Sequence, residues 1–578
     1  MRRLWVPWVL ILCASCRRPA AEPPVFKRLS SSQTGITFAN TITTSDTLSA
    51  QTFPYIYNGA GVAVGDIDND GLPDIFFAGN QVSSRLYLNK GNMRFEDITK
   101  STGVETHGWT TGVAMIDINH DGYLDIYVSV SGPPWSKPEE RRNLLFVNNG
   151  NRTFTESAAP YHIDDTGFTT QSVFLDYNGD GFPDLFVLNN SPKDFSRASV
   201  SEHPAGIIPA TPESYDQLYR NNGDGTFTNV SAQAGILKKL GYGLGVAVAD
   251  INGDGRPDIY VSNDIQPNDV LYMNNGNGTF TDQAAWWLKR TSFAGMGVDI
   301  ADFNNDGLPD IVQADMMPPD LRAQKRMSGF QNPETIRELQ NQGYRVDYDI
   351  NSLQLNAGGV FSEIARMAGV AYTDWSWSTL FADFDNDGRK DIFVSSGYPK
   401  AVNDFDYDMA VYRANRRGDL AAEKKALQQL GTYEVPSSIF RNNGDLTFTD
   451  QSTAWGITQP GFAYGAAYAD LNNDGQLDLV VSNIDAPASI YENIQPAGGS
   501  HYLAIALQGD PPNRDGLGAK LRLKAEGQAQ YLYHSPYRGY MSTMDPREHF
   551  GLGAATRADS LEVTWPDGRS QTSRLPCR

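Results

Sequence analysis

The stretch Asp66-Ile67-Asp68-Asn69-Asp70-Gly71-Leu72-Pro73-Asp74 decides the reading of this 578-residue chain. Oxygen ligands stand at alternate positions 1, 3 and 5 of it. Glycine at position 6 lets the backbone turn sharply, position 7 offers its carbonyl, and the aspartate at position 9 closes a cage. The donors are all oxygen and mostly anionic, with no His or Cys. That set selects Ca2+ over zinc or copper. Mg2+ suits it less, because Mg2+ prefers few protein ligands and keeps its waters. A single such stretch could still be an acidic turn without metal.

The pattern returns six more times, which makes a repeat architecture of the whole chain. Its ligand positions are Asp117, Asn119, Asp121 and Asp125; Asp176, Asn178, Asp180 and Asp184; Asp250, Asn252, Asp254 and Asp258. They continue as Asp302, Asn304, Asp306 and Asp310; Asp383, Asp385, Asp387 and Asp391; Asp470, Asn472, Asp474 and Asp478. The expectation is one Ca2+ per loop. The loops hold 23 aspartates, and without them the formal charge of −21 would be about +2. Carboxylates so close together repel one another unless a cation sits among them. The acidic balance also makes nucleic acid and bare anionic membrane poor partners.

Working outward, each loop is bracketed alike. Before it stands an apolar strand of small residues, such as GAGVAVGD (59–66), GLGVAVAD (243–250) or GMGVDIAD (295–302). After it comes a second strand, such as DIFFAG from Asp74. A third strand, an Asn-Gly turn and a fourth strand follow, as in LYRNNGDGTFTNV (218–230). Four short strands in each of seven units predict an all-β, seven-bladed β-propeller over residues 26–497. The seventh unit lacks a fourth strand after Ser489–Pro496. The N-terminal FKRLSSSQTGI from Phe26 matches the usual fourth strand and its exit, FTNVSAQAGI from Phe227, so the N-terminal strand is expected to close the ring.

These units resemble FG-GAP/VCBS repeats, as in integrin α-chain propellers and bacterial surface proteins. The resemblance implies that the loop residues named above bind calcium. From His501 the pattern changes. Gly516–Ala519, Arg538-Gly539-Tyr540, His549–Gly553 and Trp565-Pro566-Asp567-Gly568 are similar to an ASPIC/UnbV domain, a small β module expected over 500–575. The combination is similar to that of cartilage acidic protein-like proteins. The chain stops soon after Gly568, where the family continues, so a truncated end is expected there. Cys577 would then be an exposed thiol with no assigned role.

The N-terminus reads as an address. Arg2 and Arg3 precede an apolar run, Leu4–Leu12, too short to span a bilayer. Cys13-Ala14-Ser15-Cys16 then looks like a lipobox, with Cys13 where Leu is usual. Residues 1–16 are expected to be a lipoprotein signal with lipid on Cys16, and 17–25 a linker. The expected location is the outer membrane, on its periplasmic or cell-surface side; an ordinary secretory signal would make the protein secreted. With three cysteines, two near the start and one at the end, no disulfide framework exists in the body.

Both the metal loops and the Asn-Gly turns fall on one face of an antiparallel blade. The long connections between second and third strands emerge on the other face: 130–143, 189–217, 315–352 and 397–438. Segments 318–342 and 407–430 read as helical. Insertions on a rigid scaffold carry binding, and Trp135, Trp375, Trp377 and Tyr398 lie near that face. They are candidates to stack on a sugar or anchor a protein; blade packing is the competing reading.

No HxH, HExxH or GxSxG motif occurs, and the seven histidines are scattered. The expected function is a calcium-binding extracytoplasmic module for a glycan or surface-protein partner. A calcium-dependent polysaccharide lyase or hydrolase and a structural or adhesion component are the alternatives.

Overall fold

The computed structural model describes residues 24–192, 211–236, 241–265, 267–327, 333–495 and 499–574. Cys16, the signal stretch and Cys577 lie outside the described residues.

Each repeat forms one four-stranded antiparallel sheet, in chain order from the channel outward. The first strands are 62–65, 109–116, 169–175, 243–249, 298–301, 376–382 and 463–469. Each packs beside the next, and the last beside the first, so the seven sheets form a ring around a central channel. The closure predicted from the sequence is present. Phe26–Leu29 pairs antiparallel with Ser489–Asn493, with Phe26 opposite Asn493, and supplies the fourth strand of the last blade.

Small residues in the first strands follow from this geometry. A Cβ on Gly297 would come within 2.4 Å of the Trp377 carbonyl oxygen, and the Gly297 N–H donates to that same oxygen at 2.8 Å. Larger residues would push blades apart. The core lies between blades and is apolar: the second strands are buried over nearly their full length, and Phe and Tyr rings from neighbouring blades meet there.

A repeated asparagine ties blades together. The last residue of each third strand (Asn89, Asn148, Asn221, Asn274, Asn356, Asn442 and Asn493) accepts from a backbone N–H two residues on. In six of the seven, all but Asn221, the amide also donates backwards to the preceding blade's loop, as Asn148 to the Ile67 carbonyl at 2.8 Å, Asn442 to Phe303 at 2.9 Å and Asn493 to Phe384 at 2.9 Å. Across the ring closure, Asn89 donates to Leu471 at 2.9 Å. The sequence reads these residues only as turn formers.

The C-terminal domain has a sheet of Lys520–Ala525, Gln528–Tyr533, Ser560–Thr564 and Ser570–Ser573, and a pair His501–Ile505 with Glu548–Gly553. It does more than follow the propeller. A hairpin, Tyr537–Arg538 and Ser542–Thr543, enters the channel and joins the sheet of the first blade, where Thr543 pairs in parallel with Ala63. Gly539 exchanges backbone hydrogen bonds with Val298 at 3.1 and 3.3 Å on the far side of the channel. The Met541 carbonyl accepts from Val113 at 3.1 Å, and a Cβ on Gly61 would lie 1.7 Å from that carbonyl oxygen.

Two of the four long connections contain helices, as read from the sequence: 315–352 at Leu321–Met327 and Pro333–Asn341, and 397–438 at Phe405–Asn415 and Leu420–Gln428.

Candidate functional site

The seven loops share one construction. The position-1 aspartate accepts from the position-6 glycine N–H, from 2.7 Å at Asp66 to 2.9 Å at Asp250. The position-5 aspartate accepts from the residue two further on, as Leu72 to Asp70 at 2.9 Å. The position-9 aspartate is buried in every loop and accepts two backbone N–H groups. One comes from position 2 and one from the third-strand asparagine; for Asp125 these are Ile118 at 2.9 Å and Asn148 at 2.7 Å.

Position 3 is asparagine in five loops, where its amide donates to the position-5 carboxylate, as Asn178 to Asp180 at 2.7 Å. In the two loops with aspartate there, an arginine answers the extra charge. Arg152 lies 2.6 Å from Asp68, and Arg441 lies 2.5 Å from Asp385 and 2.9 Å from Asp387.

Burial pushes the position-9 carboxyls up: Asp74, Asp125 and Asp310 to about 8 and Asp258 to about 7, with backbone hydrogen bonds opposing and neighbouring aspartates adding. Asp184, Asp391 and Asp478 are raised for the same reason. Carboxylates in such surroundings require a positive charge to stay ionised. The oxygens of Asp66, Asp68 and Asp74 lie within 4.8 Å of one another, as do those of Asp383, Asp385 and Asp391. Buried Asp68 Oδ1 and Asp250 Oδ1 have no hydrogen-bond partner. The residues present fit a hard divalent cation taking oxygen ligands.

Loops are also stapled to one another. Position 4 has positive φ, and where it is asparagine its amide donates to the next loop's glycine carbonyl: Asn69 to Gly122, Asn305 to Gly388, Asn386 to Gly475 and Asn473 to Gly71, at 2.9–3.0 Å. At positions His120, Gly179 and Gly253 that staple is absent. There the C-terminal domain arrives instead: Arg514 donates to the His120 carbonyl at 3.4 Å, Pro512 lies over Gly181, and Lys520 pairs with Asp250. Elsewhere on this face His549 bonds Asn386 at 2.6 Å and Arg547 donates to Asn473 at 2.9 Å. Burial, with Lys390 and Arg547 nearby, lowers His549 to about 3, so it is neutral and structural.

The hairpin seals the channel. Arg538 binds fully buried Asp299 at 2.7 and 2.8 Å and donates to the Phe381 carbonyl at 3.1 Å. Tyr540, at the tip, donates to the Asn58 carbonyl at 2.9 Å and packs 5.3 Å from the Trp377 ring.

Above that tip, on the insertion face, is a cavity of about 270 Å3. It is lined by Trp375, Trp377 and Tyr398 among others. These three rings are 6%, 1% and 3% exposed, and Trp375 stacks on Tyr398 at 3.8 Å. They form a packed aromatic slab that borders the cavity rather than an open surface. Trp135 is apart from them, 55% exposed beside Gly132 and Pro133.

A ring of four-stranded sheets, metal-type loops on one face and a channel-filling C-terminal domain define a repeat propeller. Residues 66–128, 135–187, 207–261, 261–312 and 429–481 match the FG-GAP-like repeat family, and 509–576 match ASPIC and UnbV. The chain carries FG-GAP-like repeats over the first set of residues and an ASPIC and UnbV domain over the second. It is 26% identical over 529 residues to human cartilage acidic protein 1, spanning 88% of this chain and 69% of that protein. The mouse protein is 27% identical, with 88% and 70% covered. Mouse integrin alpha-8 is 32% identical over 111 residues, 17% of this chain and 10% of that protein. Among solved structures, YCF48 bound to D1 peptide aligns with a TM-score of 0.41 at 6% identity, covering 82% of this chain and 97% of that one.

Proposed function

We propose that this chain is a calcium-loaded, extracytoplasmic interaction module, held to the outer membrane by lipid on Cys16, that binds a glycan or surface protein through its insertion face. One observation carries the reading: the C-terminal domain packs on the loop face and its hairpin enters the channel, while the insertion face carries a cavity bordered by aromatic rings and a group of exposed apolar side chains on its helices. Leu321, Phe405, Tyr412 and Leu420, all on the helical insertions, are among the exposed large apolar residues. The repeat family and the integrin-type similarity favour an interaction or adhesion role. Calcium acts here as a structural clamp for the loops, with the twenty-eight loop positions as its ligands.

The test uses the chain from residue 17 onward, immobilised in calcium, against a glycan array and solubilised surface proteins. Retention that disappears when Phe405 and Tyr412 are both changed to Ser supports the reading. Retention unaffected by that change, or release of ultraviolet-absorbing unsaturated sugar ends, contradicts it.

A further inference from the structure

The fourth loop, with Asp250, Asn252, Asp254 and Asp258, departs from the other six at its position-1 aspartate. In those six, the position-5 N–H donates to Oδ1 of that aspartate, at 2.9–3.2 Å. In the fourth, the Asp254 N–H donates to Asn252 at 3.0 Å instead, and Asp250 Oδ1 is buried with no hydrogen-bond partner. The other oxygen, Oδ2, accepts from the Gly255 N–H at 2.9 Å and from Lys520 Nζ. Lys520 belongs to the C-terminal domain. It opens the strand Lys520–Ala525, where it stands opposite Tyr533 on one side and Thr564 on the other. A paired backbone therefore delivers the ammonium to this loop. Among the described residues, no other position-1 carboxylate is paired with a Lys, Arg or His side chain.

The rest of the loop adds to the imbalance. Arg256 Nη1 lies 3.0 Å from Asp254 Oδ2, so three carboxylates face two cationic side chains. The loops of Asp117, Asp176, Asp302 and Asp470 also have three aspartates, and none of these is paired with a Lys or Arg among the described residues. The sixth loop has two arginines but four aspartates, and neither arginine pairs with Asp383. Ligand charge is one of the factors that set the affinity of such a loop for Ca2+. An ion entering the fourth loop meets an ammonium on a carboxylate that it needs, and like charges repel most where burial keeps water away. Lys520 has 39% of its side chain in solvent, so Nζ can leave Asp250 for water when an ion enters.

Resting on the calcium reading above, we propose that the fourth loop is the weakest of the seven calcium sites, and that Lys520 of the C-terminal domain makes it so by competing with the ion for Asp250. Calcium and the lysine then weaken each other's hold on this loop by the same factor. Loss of this one ion fastens the C-terminal domain to the fourth blade.

The experiment holds the chain from residue 17 in buffers of graded free Ca2+ and counts bound calcium by equilibrium dialysis and atomic emission. The wild-type curve should show one ion weaker than the rest by about tenfold or more. Lys520→Gln keeps the reach of the side chain and removes its charge; it should tighten that ion about tenfold and leave the total unchanged. Lys520→Arg keeps the charge and should leave the ion weak. Asp254→Asn should remove the weak ion and spare the tight ones, which assigns it to the fourth loop even if Lys520→Gln misfolds. Equal sites in the wild type, loss of a tight ion in Asp254→Asn, or a weak ion that Lys520→Gln does not move overturns the proposal. So does equal tightening by Lys520→Arg. Each of these leaves the calcium reading standing, whereas no bound calcium at any concentration overturns both.

Discussion

The two faces of this propeller are built on opposite principles. On the loop face, one nine-residue solution is repeated seven times and every element is tied to its neighbour. Asparagines clamp six of the seven blades to the one before, position-4 amides staple loop to loop, and the C-terminal domain fills in where staples are missing. On the insertion face nothing repeats. The connections differ in length from blade to blade, some are helical, and they leave apolar side chains in water. A uniform face holds the ring together; a variable face is free to specify a partner. The hairpin links the two, since its root sits among the loops and its tip forms the floor of the opposite cavity.

The largest way to disturb this contrast is through the buried loop carboxyls. Without cation, burial raises Asp74, Asp125 and Asp310 to about 8, above the value of about 4 for an unfolded aspartate. Their protonated forms then favour the fold, and that contribution is lost as the pH rises through the folded value. Chelated protein should therefore melt at progressively lower temperature from about pH 4 to pH 8, whereas calcium-loaded protein should not. A chelated protein whose melting temperature rises over that range contradicts the account of the loops.

Next in size is the hairpin. Arg538→Ala leaves Asp299 buried without its partner and should cost about 3–5 kcal/mol, read from denaturant midpoints. A change under about 1 kcal/mol would mean that the hairpin is not seated in the channel. Asn148→Ala removes one clamp out of the set, with bonds to Ile67 and Leu124, and should cost about 1–3 kcal/mol. The smallest effect is expected on the other face: Trp135→Ala, at an exposed site, should change stability by less than about 0.5 kcal/mol.

Much of the loop face was legible in the sequence, because metal-type chemistry forces the same residues to the same spacing in every blade. Ring closure was legible for a related reason: the strand starting at Phe26 copies the fourth strand starting at Phe227. The hairpin was not. Arg538-Gly539-Tyr540 reads as a turn, and its partners are far away in sequence. One signal did exist. Asp299 stands three residues before its loop, where the other blades have Ala63, Ala114, Val173, Ala247, Leu380 and Ala467. A lone carboxylate at the channel-lining position asks for a buried cation, which Arg538 provides. The aromatic residues show the opposite limit. Trp135, Trp375, Trp377 and Tyr398 look equivalent in sequence, yet three are stacked in a slab and one stands in solvent: Trp375 and Trp377 stand at the start of the first strand Ser376–Ala382 and Tyr398 just past the second strand Asp391–Ser396, where the blade fixes them, whereas Trp135 lies in an irregular connection.

The most direct measurement is a thermal melt of the chain from residue 17 in calcium and then in chelator, with bound metal quantified on the same sample. The account predicts about one Ca2+ per loop and a large loss of melting temperature on chelation, since a ligand held only by the native state stabilises it by roughly 2.7 kcal/mol per site at a hundredfold excess over Kd. Absence of metal with an unchanged melt would contradict it.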